Sequence, residues 1–190
     1  MWRKFWERMF WFAVEKRTEK QLGTKPSVNI GMWLGSGYSV ERDMNANIEK
    51  LKNVCNAVVT DKKFEAKNGE TYCNFAFWEV AAEMGYEEFR AKKMTANQII
   101  RHIEESNGWR KTEPEVAHAF ARNGGLAVAG KKYPKHGHIA AVFPTSAMLF
   151  SGSLNKYVPV LANVGRTNGI MKASECFPVS EGEPDYWCWG

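Results

Sequence analysis

Apolar residues recur at helical spacing in the first part of the chain. They lie three or four positions apart, as on one face of an amphipathic helix, at Trp2, Phe5, Trp6, Met9, Phe10 and Phe12. The same spacing returns between residues 40 and 56, at Met44, Ile48, Leu51, Val54 and Cys55. Residues 21–39 are rich in Gly, Ser and Pro and predict an irregular connection. We therefore expect two N-terminal helices, with Cys55 in the core.

A third helix is predicted where residues 68–85 read NGETYCNFAFWEVAAEMG. Thr71 is a residue type that caps helix N-termini, and Gly85 is the type that most often follows helix C-termini. The apolar residues between them repeat with a helical period. The pattern therefore places Cys73 in the first turn of this helix.

Two more helices are predicted from capping boxes, in which a Ser or Thr is followed three residues later by Glu or Gln. Thr95 with Gln98 precedes IIRHIEE, and Thr112 with Glu115 precedes VAHAFARNGG. From residue 126 onward, the segments LAVAG, HIAAVF and YVPVLANVG are short and rich in Val, Ile and Ala, as strands are. Helices followed by strands favour an α+β fold, with N-terminal helices packed on a small antiparallel sheet.

Composition and charge restrict the class of protein. A chain of 190 residues with 44% hydrophobic composition can bury a core, and no stretch reaches the roughly 20 apolar residues of a membrane span. Glu7, Arg8 and Glu15 interrupt the apolar run of a signal peptide, so we expect synthesis in the cytoplasm without a Sec-type signal. The net charge of +5 favours polyanions. Because acidic residues lie between the basic ones, a nucleic-acid partner is not expected, and membrane-surface binding ranks last.

The four cysteines, Cys55, Cys73, Cys176 and Cys188, form no CxxC pair and no zinc-like series. We therefore expect mostly buried thiols, with no redox dithiol and no cofactor. The even number of cysteines still permits disulfides. A bridge from Cys73 to Cys55 would block Cys73, and a bridge from Cys176 to Cys188 would close the loop-like C-terminal tail over the domain.

Cys73 has the predicted placement of a reactive thiol, because a helix N-terminus stabilises the thiolate. Nucleophilic catalysis also requires a base, commonly an imidazole, and a polar group that orients the base. His138, at the start of the predicted strand HIAAVF, is the best candidate for the base. Asn163, on the following strand, is the candidate orienting residue, with Asn155 and Asn168 as alternatives.

The other histidines are weaker candidates for chemistry. His102 and His118 lie within the two capped helices and are expected to be surface or half-buried residues. His136 forms an HxH pair with His138, but no nearby carboxylate or cysteine completes a ligand set. We therefore expect no metal site.

The segments TYCNFAFWEV, GHIAAVFP and VPVLANVG resemble, in this order, the NlpC-type papain-like cysteine peptidases and their CHAP amidase relatives. This resemblance implies a papain-like fold with Cys73 as nucleophile, His138 as general base and Asn163 as orienting residue. It also implies that the backbone amide of Cys73 forms part of an oxyanion hole. The residues around Cys73 differ from the family's usual Asp before the cysteine and Ser-Gly after it.

The resemblance further implies a reaction and its partners. The expected activity is cleavage of amide bonds in the peptide part of bacterial peptidoglycan, by a wall hydrolase, phage lysin or secreted toxin that acts in the periplasm or at the cell wall. The expected partner is the stem peptide and, for a toxin, an inhibitor or immunity protein. Residues 1–60 would form a helical segment and residues 61–190 the catalytic domain, or both would form one continuous domain. The alternative is a non-catalytic wall-binding or virion structural module on the same fold.

Overall fold

The computed structural model describes residues 34–190, with side chains from residue 42 onward. The first predicted helix, with its aromatic residues from Trp2 to Phe12, lies outside this range. Residues Tyr38–Gly190 form one compact unit. The division at residue 60 stays a prediction.

Helix α1, Leu34–Thr60, is longer than the sequence predicted. Its first turns lie in the segment expected to be irregular, because each residue that joins an existing helix gains a hydrogen bond. Leu51, Cys55 and Val58 are buried at helical spacing, which confirms Cys55 as a core residue. No helix in residues 34–190 is both long and apolar enough to cross a membrane. A 3-10 turn, Lys62–Phe64, follows α1 and buries Phe64.

Helix α2, Cys73–Glu83, begins at the predicted cysteine, but its cap differs from the prediction. Tyr72 is the N-cap and no side chain caps the helix, because Thr71 lies one residue too early. The C-terminus matches the prediction, since Gly85 adopts a φ of +99°. The amides of Gly85 and Tyr86 donate to the carbonyls of Ala82 and Ala81, which are the two hydrogen bonds of a Schellman motif.

The next helices test the two predicted capping boxes. Helix α3, Glu88–Ala91, is a single turn, and helix α4, Ala96–Glu105, has the predicted Thr95–Gln98 box with both hydrogen bonds present. The box at Thr112 is wrong, because helix α5, Pro114–Arg122, starts later and its N-cap, Glu113, makes no side-chain capping bond. Proline fits the first position of a helix, where its missing N–H would have no partner.

The strands form an antiparallel sheet of six, so the α+β prediction is confirmed. Its strands are β1 Trp109–Thr112, β2 Ala127–Lys131, β3 His138–Val142, β6 Val160–Asn163, β7 Gly169–Lys172 and β8 Asp185–Trp189. They are ordered β1-β8-β2-β3-β6-β7 across the sheet. A separate hairpin contains β4 Leu149–Ser151 and β5 Lys156–Val158. The short helix α6 Ala173–Cys176 and a 3-10 turn, Val179–Glu181, connect β7 to β8.

Two strand predictions require correction. The segment YVPVLANVG was predicted as one strand but contains β5 and β6, which are separated at Pro159 because proline has no N–H for a ladder hydrogen bond. The C-terminal tail, predicted to be loop-like, instead forms β8 between β1 and β2. Trp187 of β8 is only 1% exposed, so the tail is part of the core.

The buried position of Trp187 leads to a stability prediction. Trp187→Ala is expected to lower the free energy of unfolding by about 3–5 kcal/mol, because it leaves a cavity under the central strands. Urea denaturation measures this change. As a control, Tyr157→Ala removes an aromatic ring that is 63% exposed and should change stability by about 0.5 kcal/mol or less. Equal losses in the two variants would contradict the assignment of β8 to the core.

Candidate active site

Cys73 occupies the first position of α2 and is buried, with 5% of its surface exposed. A small cavity of about 10 Å³ lies between α2 and the sheet beside this residue. Small side chains of β3 and β6 line it, and these are Ala140, Ala141 and Ala162. They allow the helix start to approach the sheet closely. The Cys73 thiol reaches the backbone at the start of β3, where it donates to the Gly137 carbonyl at 3.9 Å.

The electrostatics of Cys73 involve two opposing effects. Burial is the larger and raises the pKa of the thiol. Backbone N–H groups of Ile139, Asn74 and Cys73 lower the pKa, and two of these groups belong to the start of α2. The helix start therefore favours the thiolate as predicted, but burial outweighs it. The resting form of Cys73 at neutral pH is the protonated thiol.

His138 is the first residue of β3, and its Nε2 lies 2.8 Å from Oδ1 of Asn163. Asn163 ends β6 and is 5% exposed. Its Nδ2 donates to the Thr167 carbonyl, which fixes Oδ1 as the side facing the imidazole. Nε2 of neutral His138 is then the N–H donor, and Nδ1 carries the lone pair. The structure thus brings the predicted base and orienting residue together.

Burial and hydrogen bonding also act on His138. Burial lowers the pKa of the imidazole, and the Asn163 hydrogen bond acts in the opposite direction. Neutral imidazole is therefore the resting form at neutral pH. Phe177, which sequence reasoning missed, lies with its ring centroid 4.9 Å from that of His138. No local sequence signal points to Phe177, since it reaches the ring only through the tertiary fold.

Among the described hydrogen bonds, neither of the other candidate asparagines pairs with His138. Asn155 lies between β4 and β5 with a φ of +50°. Asn168 accepts a hydrogen bond from the Gly165 amide and donates to the Phe64 carbonyl. Asn163 is therefore the asparagine that orients the imidazole in this geometry.

Gly137 and Asn97 form a second contact that sequence reasoning missed. A Cβ on Gly137 would lie 2.4 Å from the side-chain Oδ1 of Asn97 and 2.9 Å from its backbone nitrogen, so only glycine fits. Asn97 Nδ2 also donates to the Tyr133 carbonyl. Asn97, near the start of α4, thus holds the loop that precedes His138. The glycine directly before His138 was the one signal available in the sequence.

The remaining histidines lie elsewhere. His102 Nε2 is 2.9 Å from the Tyr86 hydroxyl, which itself donates to Glu88, so His102 connects α3 to α4. His118 is buried, contrary to the predicted surface or half-buried position, because its face of α5 packs inward. His136 is exposed. Within residues 42–190, no group of three or more His, Cys, Asp or Glu side chains is arranged to hold a metal ion.

All four cysteines are free thiols in the structure. Burial raises the pKa of Cys55 to about 12 and that of Cys188 to about 11. Cys176 donates to the Lys172 carbonyl. The site thiol is therefore not blocked by a disulfide in this structure.

Basic side chains near His138 divide into two groups. Lys131 donates to the carbonyls of Glu181 and Glu183, and Lys132 pairs with Glu104. Lys135 and Arg166 are exposed, and no acidic partner is found for them among the described residues. Exposed positive charge on both loops that flank His138 would attract an anionic ligand.

Comparison with known proteins does not identify a family. No family model matches the chain, and no curated protein was found to be similar to it. The catalytic roles of Cys73, His138 and Asn163 therefore remain predictions. They depend on the geometry of a thiol at a helix start and an imidazole with a fixed hydrogen-bond partner.

This geometry predicts the titration of His138. Because burial favours the neutral ring, NMR should show His138 titrating below its ordinary pKa of 6.5. Asn163→Ala should lower this pKa further, since the amide oxygen stabilises the protonated ring. The base is available above the pKa, so alkylation of Cys73 should slow as the pH falls through it. Asn155→Ala serves as the control and should leave the titration unchanged.

Two results would contradict this electrostatic account. One is a His138 pKa at or above 6.5, and the other is a rise of that pKa in Asn163→Ala. Either result would mean that the ring is not held as a neutral, Nε2-protonated imidazole.

Proposed function

We propose that the chain is a cysteine amidohydrolase or endopeptidase with a papain-like fold that cleaves amide bonds in the peptide part of bacterial peptidoglycan. The observation that carries this proposal is the hydrogen bond between His138 and Asn163. This bond uses Nε2 of His138 and leaves the lone pair on Nδ1 for proton transfer. His138 directly follows Gly137, whose carbonyl accepts a hydrogen bond from the Cys73 thiol. The proposal takes the nucleophile from α2, the base from β3 and the orienting group from β6.

The proposed mechanism starts from the neutral pair. The thiol proton is redirected from the Gly137 carbonyl to Nδ1 of His138 as sulfur attacks the substrate carbonyl. Asn163 stabilises the imidazolium that forms, and the N–H of Cys73 stabilises the developing oxyanion. The imidazolium then gives its proton to the leaving amine, which leaves an acyl-enzyme thioester. Water, activated by His138, hydrolyses the thioester and regenerates the thiol.

The charge near the site supports an anionic substrate. Lys135 and Arg166 lie on the loops that flank His138, and peptidoglycan stem peptides carry carboxylates. Action in the periplasm or at the cell wall, as a wall hydrolase, lysin or toxin, belongs to the same proposal. For a toxin, the proposal includes an immunity protein as the partner.

The second candidate function is a non-catalytic wall-binding or virion structural module. The observation that favours it is the hydrogen bond of the thiol to Gly137, together with burial of Cys73. Within the described residues, the thiol makes no hydrogen bond to the imidazole. A protein that only binds the wall would not require proton transfer between these groups.

The hydrolase proposal is tested by the release of new amino groups from purified peptidoglycan. Cys73→Ala should reduce the rate at least about a thousandfold, because it removes the nucleophile. Cys55→Ala is the matched control, since it removes another buried helix thiol and should retain activity.

Cosedimentation with insoluble peptidoglycan separates the two candidate functions. No release of fragments from any tested peptidoglycan, with Cys73→Ala identical to the wild type in lysis, would overturn the hydrolase proposal. If the wild type and Cys73→Ala both sediment with peptidoglycan and neither releases fragments, the binding module is supported. Binding by Cys73→Ala together with loss of cleavage would support the hydrolase.

A further inference from the structure

The loop between β6 and β7, residues 164–168, is held at its far end by the side chain of Asn168. Oδ1 of Asn168 accepts from the Gly165 amide at 3.0 Å, which closes the loop on itself. Nδ2 donates to the Phe64 carbonyl at 3.0 Å, which joins the loop to the 3-10 turn after α1. Phe64 is buried, so this carbonyl belongs to a fixed part of the core.

The same loop fixes the amide of Asn163. Asn163 Nδ2 donates to the carbonyl of Thr167, the residue directly before Asn168. An asparagine amide can turn by 180°, which would exchange its donor and acceptor groups. The Thr167 carbonyl prevents this exchange because it accepts a hydrogen bond and cannot donate one. Its position therefore decides which group of Asn163 faces the imidazole.

We propose that Asn168 is a positioning residue that sets the tautomer of His138 through the Thr167 carbonyl and Asn163. This role belongs to the proposed hydrolase site, and any effect of Asn168 on catalysis rests on the proposed function. Three hydrogen bonds and the peptide bond between Thr167 and Asn168 connect the Phe64 carbonyl to Nε2 of His138. The bond from Gly165 to Asn168 closes the loop beside this path. Without Asn168, the Thr167 carbonyl loses its fixed direction, and the Asn163 amide can present its NH₂ group to the ring.

The side chains of the loop support this assignment to Asn168. Those of Arg166 and Thr167 are exposed, so neither holds the loop in place. Gly165 is buried and lies against His138, where an added Cβ would be 3.5 Å from Cε1. Val164 packs in the core beside Val58 and Cys73, and among the described contacts Asn168 is the side chain of this loop that hydrogen-bonds a distant part of the chain.

The test measures the tautomer of His138 by ¹⁵N NMR, above the pKa of the ring. The wild type should show mainly the Nε2-protonated form. Asn168→Ala should shift the ratio of the two tautomers about fivefold toward the Nδ1-protonated form, the size expected for loss of one hydrogen bond. Alkylation of Cys73 by iodoacetamide should slow in proportion to the fraction of rings that still carry the lone pair on Nδ1, which falls by less than the ratio itself changes.

Two controls separate positioning from loss of stability. Asn155→Ala replaces a turn asparagine at positive φ, so it also destabilises the protein, but it should not change the tautomer. Thr167→Ala keeps the loop carbonyl and removes an exposed side chain, and it should behave like the wild type. If Asn168→Ala does not fold, Asn168→Asp keeps the acceptor for Gly165 and loses the donor to Phe64. A smaller shift in the same direction is then expected.

An unchanged tautomer ratio in a folded Asn168 variant would overturn the positioning role. An equal shift of the tautomer ratio in Asn155→Ala would also overturn the positioning role, since the shift would then result from the loss of stability. The NMR measurement requires no substrate, so it gives a result even if the wild type fails to cleave peptidoglycan. Failure of the hydrolase proposal and failure of this inference are therefore distinguishable.

Discussion

The antiparallel pairing of β3 with β6 is the constraint on which the candidate site depends. Ala141 lies opposite Ala162 in this pair. Side chains alternate between the two faces of a sheet, so His138 and Asn163 project to the same side in this register. A slip of one residue would turn Asn163 to the opposite face and leave the imidazole without its partner. By the same alternation, Ala141 and Ala162 lie on the opposite face, where they line the cavity beside Cys73.

Burial gives the site its electrostatic character. Cys73 and His138 are both driven toward their neutral forms, the first by a raised pKa and the second by a lowered one. A resting thiolate–imidazolium pair would have to compensate for the desolvation of two charges, which is costly inside a protein. A neutral thiol with a backbone acceptor and a neutral imidazole with an amide partner avoid this cost. In the proposed mechanism, charge would form only as sulfur attacks, next to the amides at the start of α2.

The parts of the fold that could be predicted from the sequence depend on local signals. The Thr95–Gln98 box requires only residues three positions apart, and Asn163 was selected from the alternation of side chains along a strand. The failures arise where distant residues or exact positions decide the structure. The tail around Trp187 forms a strand because β1 and β2 lie on either side of it, and no local pattern contains that information. Thr112 belongs to β1, since Pro114 determines where α5 begins.

The site also shows how the two halves of the described chain depend on each other. Cys73 belongs to the helical half, and His138 belongs to the sheet. The Phe64 carbonyl lies between α1 and α2 in the chain, and Asn168 joins it to the loop that fixes Asn163. Because Phe64 is buried with the core residues of α1, the packing of that helix bears on the direction of the Thr167 carbonyl, which accepts from Asn163. Helix packing and imidazole orientation are therefore parts of one connected arrangement, although α1 supplies no residue to the proposed chemistry.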